Sequence, residues 1–306
     1  MKRLTILLLV FLSACLAPRP DLSSPVAAET RNLLVVYTGN LLAELKPCGC
    51  AKEEDQGGIE RRMQYLNDIR KSNPNLLLVD TGDHFKEPTR QGKLKAETLM
   101  IATERMGYDA VALGERDLLY GSKFLEDKPI SFISSNLMLE NFPLKKSRIK
   151  KLSNELKIAV LAVVDPDLFY LKNHVGLSIA DPEQTVSREI KGIQDSTDII
   201  ILLTHMEKEK ALKYLDKDGV DIVINGHISS ENEIVDMKPT YKAEKVFVQA
   251  SPLGQKMGEL QITLDQMGNF SFEQRIVKLD SSINKDPEML KLYESYNDEV
   301  EAIFFE

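Results

Sequence analysis

Short runs of Val, Ile and Leu recur along the chain, each closed by polar residues. Those at Leu33 to Tyr37, Asn75 to Asp80, Ala110 to Leu113, Ile130 to Ser134, Leu156 to Val164, Ile199 to Leu203 and Val220 to Ile224 are almost continuously apolar. That pattern predicts strands covered on both faces rather than half-exposed ones. Segments Ile59 to Lys71, Ala96 to Met106, Pro182 to Gln194 and Lys208 to Leu215 alternate with them and read as helices. Asp181-Pro182 is a start signal, a capping carboxylate followed by proline in the first turn. Such alternation predicts an α/β architecture with parallel strands. After Lys245 the text "KVFVQASPLGQKMGELQITLDQMGNFSFEQRIVKLD" changes character. It reads as strands joined by tight turns, with Met267-Gly268-Asn269 marking a hairpin, and predicts an antiparallel second sheet beside the first. From Pro287 to Phe305, Leu290, Leu292, Tyr293, Tyr296, Val300 and Ile303 stand at helical spacing and predict a docked terminal helix.

The front of the chain carries different information. "MKRLTILLLVFLSAC" opens with Lys2 and Arg3, continues through about ten apolar residues and closes on small ones before Cys15. The run is too short to span a bilayer with stable flanks but fits an export signal. The residues before Cys15 resemble a bacterial lipobox, which implies cleavage there and lipid attachment to the Cys15 sulfur. Leu16 follows instead of Asp, so inner-membrane retention is not indicated. The expected organisation is a signal over residues 1–15, a Pro-, Ser- and Ala-rich tether over 16–31, a globular domain over 32–280 and a terminal helix over 281–306. The expected location is the cell envelope, at the outer membrane facing the periplasm where two membranes exist. Acidic residues outnumber basic ones, 47 against 39, which disfavours nucleic acid and anionic lipid surfaces as partners. The absence of Trp argues against a stacking platform for sugars or bases.

Candidate chemistry sits where the apolar runs end. Thr38-Gly39-Asn40, Gly82-Asp83-His84, Gly114-Glu115-Arg116-Asp117, Thr204-His205 and Asn225-Gly226-His227 each follow one. Ligands of open α/β sheets gather beyond the carboxyl ends of strands, so five strands would deliver donors to one edge. Asp and Glu oxygens with two imidazoles form a set for a first-row metal ion.

The blocks "GGIERR", "VDTGDHF", "GYDAVALGERDL", "TH" and "NGH", in that order, resemble the calcineurin-like metallophosphoesterase superfamily, in particular its 5'-nucleotidase branch. The resemblance runs from Leu33 to about Leu279 and implies a two-sheet β-sandwich flanked by helices, hydrolysing phosphate esters with two metal ions. The departures matter as much. The family's first motif, Asp-x-His, is Asn40-Leu41-Leu42 here, and Ser229 replaces its last His. The resemblance therefore implies one divalent ion (Mn, Zn or Fe), held by Asp83, Glu115, His205 and His227, with Asn40 as a weakened donor. Glu115 replaces a neutral Asn and adds a negative charge. Arg116 stands where the family has its catalytic His; arginine keeps its proton, so the expected role is to hold an anion. His84 is the candidate replacement proton donor. Arg61 and Arg62, near a helix start entered through Gly57-Gly58, are candidates for binding the anion or simply a solvated helix face.

Cys48 and Cys50, in "KPCGC", are one residue apart. The residues leave three roles open: soft ligands replacing lost donors, a dithiol cycling with a strained disulfide, or an inert turn. "GNLLAELKPCGC" followed by "GGIERR" is similar to a subgroup of exported nucleotidase-like proteins, some of which carry selenocysteine in this turn. Two functions follow as expectations. One is a lipid-anchored hydrolase of a small anionic ester; the other is an inactive phosphatase scaffold using Cys48 and Cys50 with a thiol-redox partner or for metal capture.

Overall fold

A computed structural model describes residues 30–48, 55–169, 176–230 and 233–305. The first half contains β1 (Arg31–Thr38), the two-residue β2 (Pro47–Cys48) and β3 (Gln56–Gly57), α1 (Ile59–Ser72), β4 (Leu76–Asp80), α2 (Arg90–Met106) and β5 (Ala110–Ala112). A short α3 (Lys123–Glu126), β6 (Phe132–Ile133), β7 (Leu137–Leu139), β8 (Ser147–Lys151) and β9 (Lys157–Val164) follow. The second half adds β10 (Leu177–Ile179), α4 (Pro182–Ile193), β11 (Ile199–His205), α5 (Lys208–Leu212) and β12 (Ile222–Asn225). It closes with β13 (Thr240–Lys242), β14 (Lys245–Gln249), β15 (Lys256–Leu264), β16 (Phe270–Lys278) and α6 (Pro287–Phe305).

Two sheets stack face to face, ordered β16-β15-β1-β4-β5-β6 and β13-β14-β12-β11-β9-β8. The continuous apolar runs explain the layering. In β1, Leu33, Val35 and Tyr37 enter the interior between the sheets, whereas Leu34 and Val36 join the core beneath α1, α2 and α6. In β11, Ile199, Ile201 and Leu203 enter the same interior, while Ile200 and Leu202 pack under α4 and α5. Successive side chains of a strand point to opposite faces, so a strand buried on both needs no polar alternation. Full burial of each such side chain contributes about 1.5–3 kcal/mol. The resulting order is helix, sheet, sheet, helix, the two-sheet sandwich flanked by helices.

The capping prediction holds at α4, where Asp181 Oδ1 accepts from Gln184 N at 2.7 Å and Pro182 opens the helix. The hairpin at Met267-Gly268-Asn269 also forms, with Asp265 accepting from the backbone of Met267 and Asn269. Helix α6 docks through Met289 and Tyr296, with Leu292, Tyr293 and Val300 packed beside them. The expected separate antiparallel sheet is corrected. Hairpin β15–β16 pairs antiparallel to β1 and extends the first sheet, while β14 pairs parallel to β12 in the second. The chain crosses between the sheets after Gln249, which makes the first sheet mixed; the second is mixed because its edge strands β8 and β13 pair antiparallel. Strand β8, "SRIKK", is a charged edge strand paired only with β9 in its sheet, and its lysines and arginine gave no apolar signal. No helix among the described residues is long and apolar enough to cross a membrane.

Candidate metal centre

The carboxyl ends of β4 and β5 in one sheet meet those of β11 and β12 in the other at a single rim of the sandwich. Close backbone approach makes this possible. A Cβ on Gly114 would lie 2.2 Å from Asp83 Oδ1 and 2.8 Å from His205 Nε2, so only glycine fits between these two groups. A Cβ on Gly226 would come within 2.3 Å of Thr81 Oγ1, where the turn after β12 crosses the turn after β4.

Asp83, Glu115, His205 and His227 converge at this rim. Asp83 is buried, with a left-handed φ of 62° that aims its carboxylate across the sheet ends. Its Oδ1 accepts from Arg116 N at 3.0 Å, and its Oδ2 lies 3.5 Å from His205 Nε2. His205 Nε2 is 2.8 Å from Glu115 Oε2, and His227 Nδ1 is 3.7 Å from Glu115 Oε1. The two imidazoles stand edge to face, with centroids 5.3 Å apart. One ligand atom from each of Glu115, His205 and His227 falls within 4.8 Å of the others.

The unpartnered atoms identify what this arrangement suits. Glu115 Oε2, His205 Nε2 and His227 Nδ1 are all buried and make no hydrogen bond, even where they approach to 2.8 Å. Buried polar atoms without partners are rare in native proteins. Three of them lie in one cluster, with Glu115 Oε2 and His205 Nε2 2.8 Å apart as an ion pair when the imidazole is protonated, and form a donor set in which a cation could replace that proton. Electrostatics agree. Burial alone would lower the His205 pKa, but the carboxylates of Asp83 and Glu115 hold it well above the usual value. Burial likewise opposes ionisation of Glu115, yet His205 and His227 bring its pKa down to about 2. Burial raises Asp83, and burial together with the His205 charge lowers His227. Buried carboxylates and imidazoles packed this closely favour a positive charge among them.

Supporting groups hold these side chains in place. His205 Nδ1 lies 3.0 Å from Thr81 O, which fixes the ring and leaves Nε2 toward the centre. Gln249 donates to His227 O at 3.1 Å and accepts from Asn225 Nδ2 at 2.9 Å. Asp117 accepts from Gly114 N, Asp83 N and His84 N at 2.7–2.9 Å, stapling the Asp83 turn to the Glu115 turn. Glu207 reaches His227 Nε2 from the rim. Sequence reasoning assigned no role to Asp117, Gln249 or Glu207; the one available signal was their position just after a strand or within its last residue.

Asn40 lies against the turn that carries His227. Its Nδ2 donates to Gly226 O, and its buried Oδ1 has no partner. The turn that carries it is unusual, because Asn40, Leu42 and Ala43 all have left-handed backbones with φ of 48–55°. Non-glycine residues in that region cost about 1–3 kcal/mol each and need enforcing contacts. Backbone bonds from Leu42 N to Asp83 O and from Ala43 N to His84 O supply them.

Two expected site residues lie elsewhere. His84 is fully buried with Nδ1 2.8 Å from Asp117 Oδ1 and Nε2 3.2 Å from Asp80 Oδ1. Burial alone would depress its pKa, but the two carboxylates raise it to about 10, so it is a structural cation and not a proton donor to the rim. Arg61 is also internal. Its Nη2 pairs with Asp55 Oδ2 at 2.7 Å, and its Nη1 donates to Asp55 O and Leu279 O, which removes it from anion binding. Arg62 is fully buried beside Gly254 rather than on a solvated face. Arg116 remains at the rim, 30% exposed, with Nε 3.6 Å from Asp83 Oδ2. Cys48 belongs to β2, its backbone opposite Gln56. Its side chain, Cys50 and Cys15 lie outside the described residues.

Comparison with known proteins places this arrangement. The family model for calcineurin-like phosphoesterases matches residues 49–230, more than half of the chain. The trifunctional nucleotide phosphoesterase YfkN of Bacillus subtilis is 23% identical over 79% of this chain and 20% of its own length. A 5'-nucleotidase of Diplobatis ommata is 24% identical over 84% of this chain and 50% of its own. The chain thus spans half or less of the length of these two relatives. The crystal structure of a 5'-nucleotidase precursor from Thermus thermophilus superposes with a TM-score of 0.78 at 19% identity, covering 90% of this chain and 60% of that one. With its sandwich, its rim of carboxylates and imidazoles, and this match, the chain belongs to the calcineurin-like phosphoesterase family.

Proposed function

We propose that the chain is a 5'-nucleotidase-like, metal-dependent hydrolase of a small phosphate ester or related anion, working with one divalent cation held by Asp83, Glu115, His205 and His227. The observation that carries this reading is the convergence of three buried, unpartnered ligand atoms from Glu115, His205 and His227. A divalent cation bound there would polarise an ester oxygen and lower the pKa of a bound water. The chain's own residues do the rest. Asp83 is oriented by the Arg116 backbone N–H, and His205 by Thr81 O. The Arg116 guanidinium, permanently charged at the opening, orients an anion and donates no proton.

A single cation is supported by the turn after β1. Leu41 and Leu42 are buried there without any donor atom, Asn40 offers only a neutral oxygen, and Ser229 ends the last block. The apolar run ending at Cys15 supports export and lipid attachment, so the hydrolase would act in the cell envelope on a small anionic substrate. The test is metal analysis of protein purified without chelator, combined with an assay of p-nitrophenyl phosphate in Mn(II), Zn(II) or Fe(II). A single equivalent of metal and turnover that is lost on His205→Ala are expected. Two bound equivalents would contradict the mononuclear reading, and no metal-dependent turnover would contradict the hydrolase.

A further inference from the structure

Glu207 leaves β11 two residues after His205, where the chain turns toward α5. Its Oε1 lies 3.3 Å from His227 Nε2, and Ser229 Oγ donates to its Oε2 at 3.4 Å. The other ring nitrogen of His227, Nδ1, is buried, has no partner, and points toward Glu115 Oε1. A neutral imidazole carries one N–H, and the hydrogen bond it donates decides which nitrogen keeps the lone pair. Glu207 Oε1 faces Nε2 at 3.3 Å, so a proton carried on Nε2 would meet a carboxylate and the lone pair would fall on Nδ1. His205 is arranged in the opposite sense, with Nδ1 against Thr81 O and Nε2 toward the centre.

We propose that Glu207 is a positioning residue that holds His227 in the tautomer presenting Nδ1 to the cation. One strand end then supplies a ligand, His205, and the group that orients a second ligand arriving from β12. The proposal rests on Asp83, Glu115, His205 and His227 being the metal ligands. Outer carboxylates of this kind fix ring orientation and raise the basicity of the coordinating nitrogen. Glu207 is 46% exposed on the wall of a pocket of about 240 Å³ shared with His227, Ser229, Glu233 and Gln249, so replacing it leaves the cores intact.

The test uses the full chain as wild type, Glu207→Ala and Glu207→Gln, with His205→Ala as a control. Each metal-stripped protein is titrated with Zn(II) against a chromophoric chelator, and the Co(II) absorption spectrum is recorded. Glu207→Ala should weaken Zn(II) by about 10–100-fold and shift the Co(II) bands, the size expected for loss of an outer-shell partner. Glu207→Gln keeps an acceptor oxygen and should recover most of the affinity. Affinity in Glu207→Ala within about twofold of wild type would overturn the proposal, since outer-shell partners act well above that. Equal losses in Ala and Gln variants would overturn it too, because charge alone would then account for them. If wild type and His205→Ala bind Zn(II) equally weakly, the ligand assignment fails instead.

Discussion

His84 and His205 are both fully buried, both lie at or just beyond the carboxyl end of a strand, and both face two carboxylates, yet only His205 sits in the candidate centre. His84 is enclosed: Asp117 hydrogen-bonds one ring nitrogen, and the other, likewise buried without a hydrogen bond, faces Asp80 at 3.2 Å in the interior. His205 is anchored on one side by Thr81 O, while its second nitrogen approaches Asp83 and Glu115 without hydrogen-bonding either. Burial and neighbouring charge therefore do not separate a structural imidazole from a ligand. The direction of the unpartnered nitrogen does.

The contrast can be broken most sharply at the ligand. His205→Ala should reduce metal affinity by more than about 100-fold, beyond the range of outer-shell changes, as measured by chelator competition. His84→Ala should do its damage to the fold, lowering stability by about 3–5 kcal/mol in urea titrations because Asp80 and Asp117 are left buried without a counter-charge. The same pair predicts a pH limb. His84 has a folded pKa of about 10 against an ordinary value of 6.5, so its stabilisation is complete below pH 6.5 and is lost as pH rises toward 10. Urea midpoints measured across that window should fall for wild type and flatten in His84→Gln. Glu115→Gln keeps an oxygen donor and removes a charge, so metal affinity should drop by about tenfold, less than for His205→Ala. The smallest expected effect is on substrate. Arg61→Ala should leave KM unchanged within about twofold, since its guanidinium is committed to Asp55 and Leu279, whereas Arg116→Ala should raise KM clearly.

What could be read in advance follows the range of the interactions. Strands β1, β4, β9 and β11 were legible because burial on both faces demands unbroken apolar runs. The membership of β14, β15 and β16 was not, since the choice of hydrogen-bonding neighbour depends on where the chain crosses between sheets. At the rim, the residues following each strand were readable as a group because topology brings strand ends together. Their individual roles were not. Asp83-His84 is one dipeptide whose side chains diverge, Asp83 to the rim and His84 into the interior, under a left-handed φ that the letters do not display. Arg61 near a helix start reads as an anion binder until Asp55, six residues upstream, is seen to take it. Glu207 and His227 are neighbours only because β11 and β12 lie side by side.

The four candidate ligands are divided evenly between the sheets, with Asp83 and Glu115 from one and His205 and His227 from the other. A cation bound there would act as a rivet across the seam, and its affinity would report how the two halves slide past each other. A void opened deep in the layer between the sheets, far from any donor atom, should therefore loosen the ion before it melts the protein.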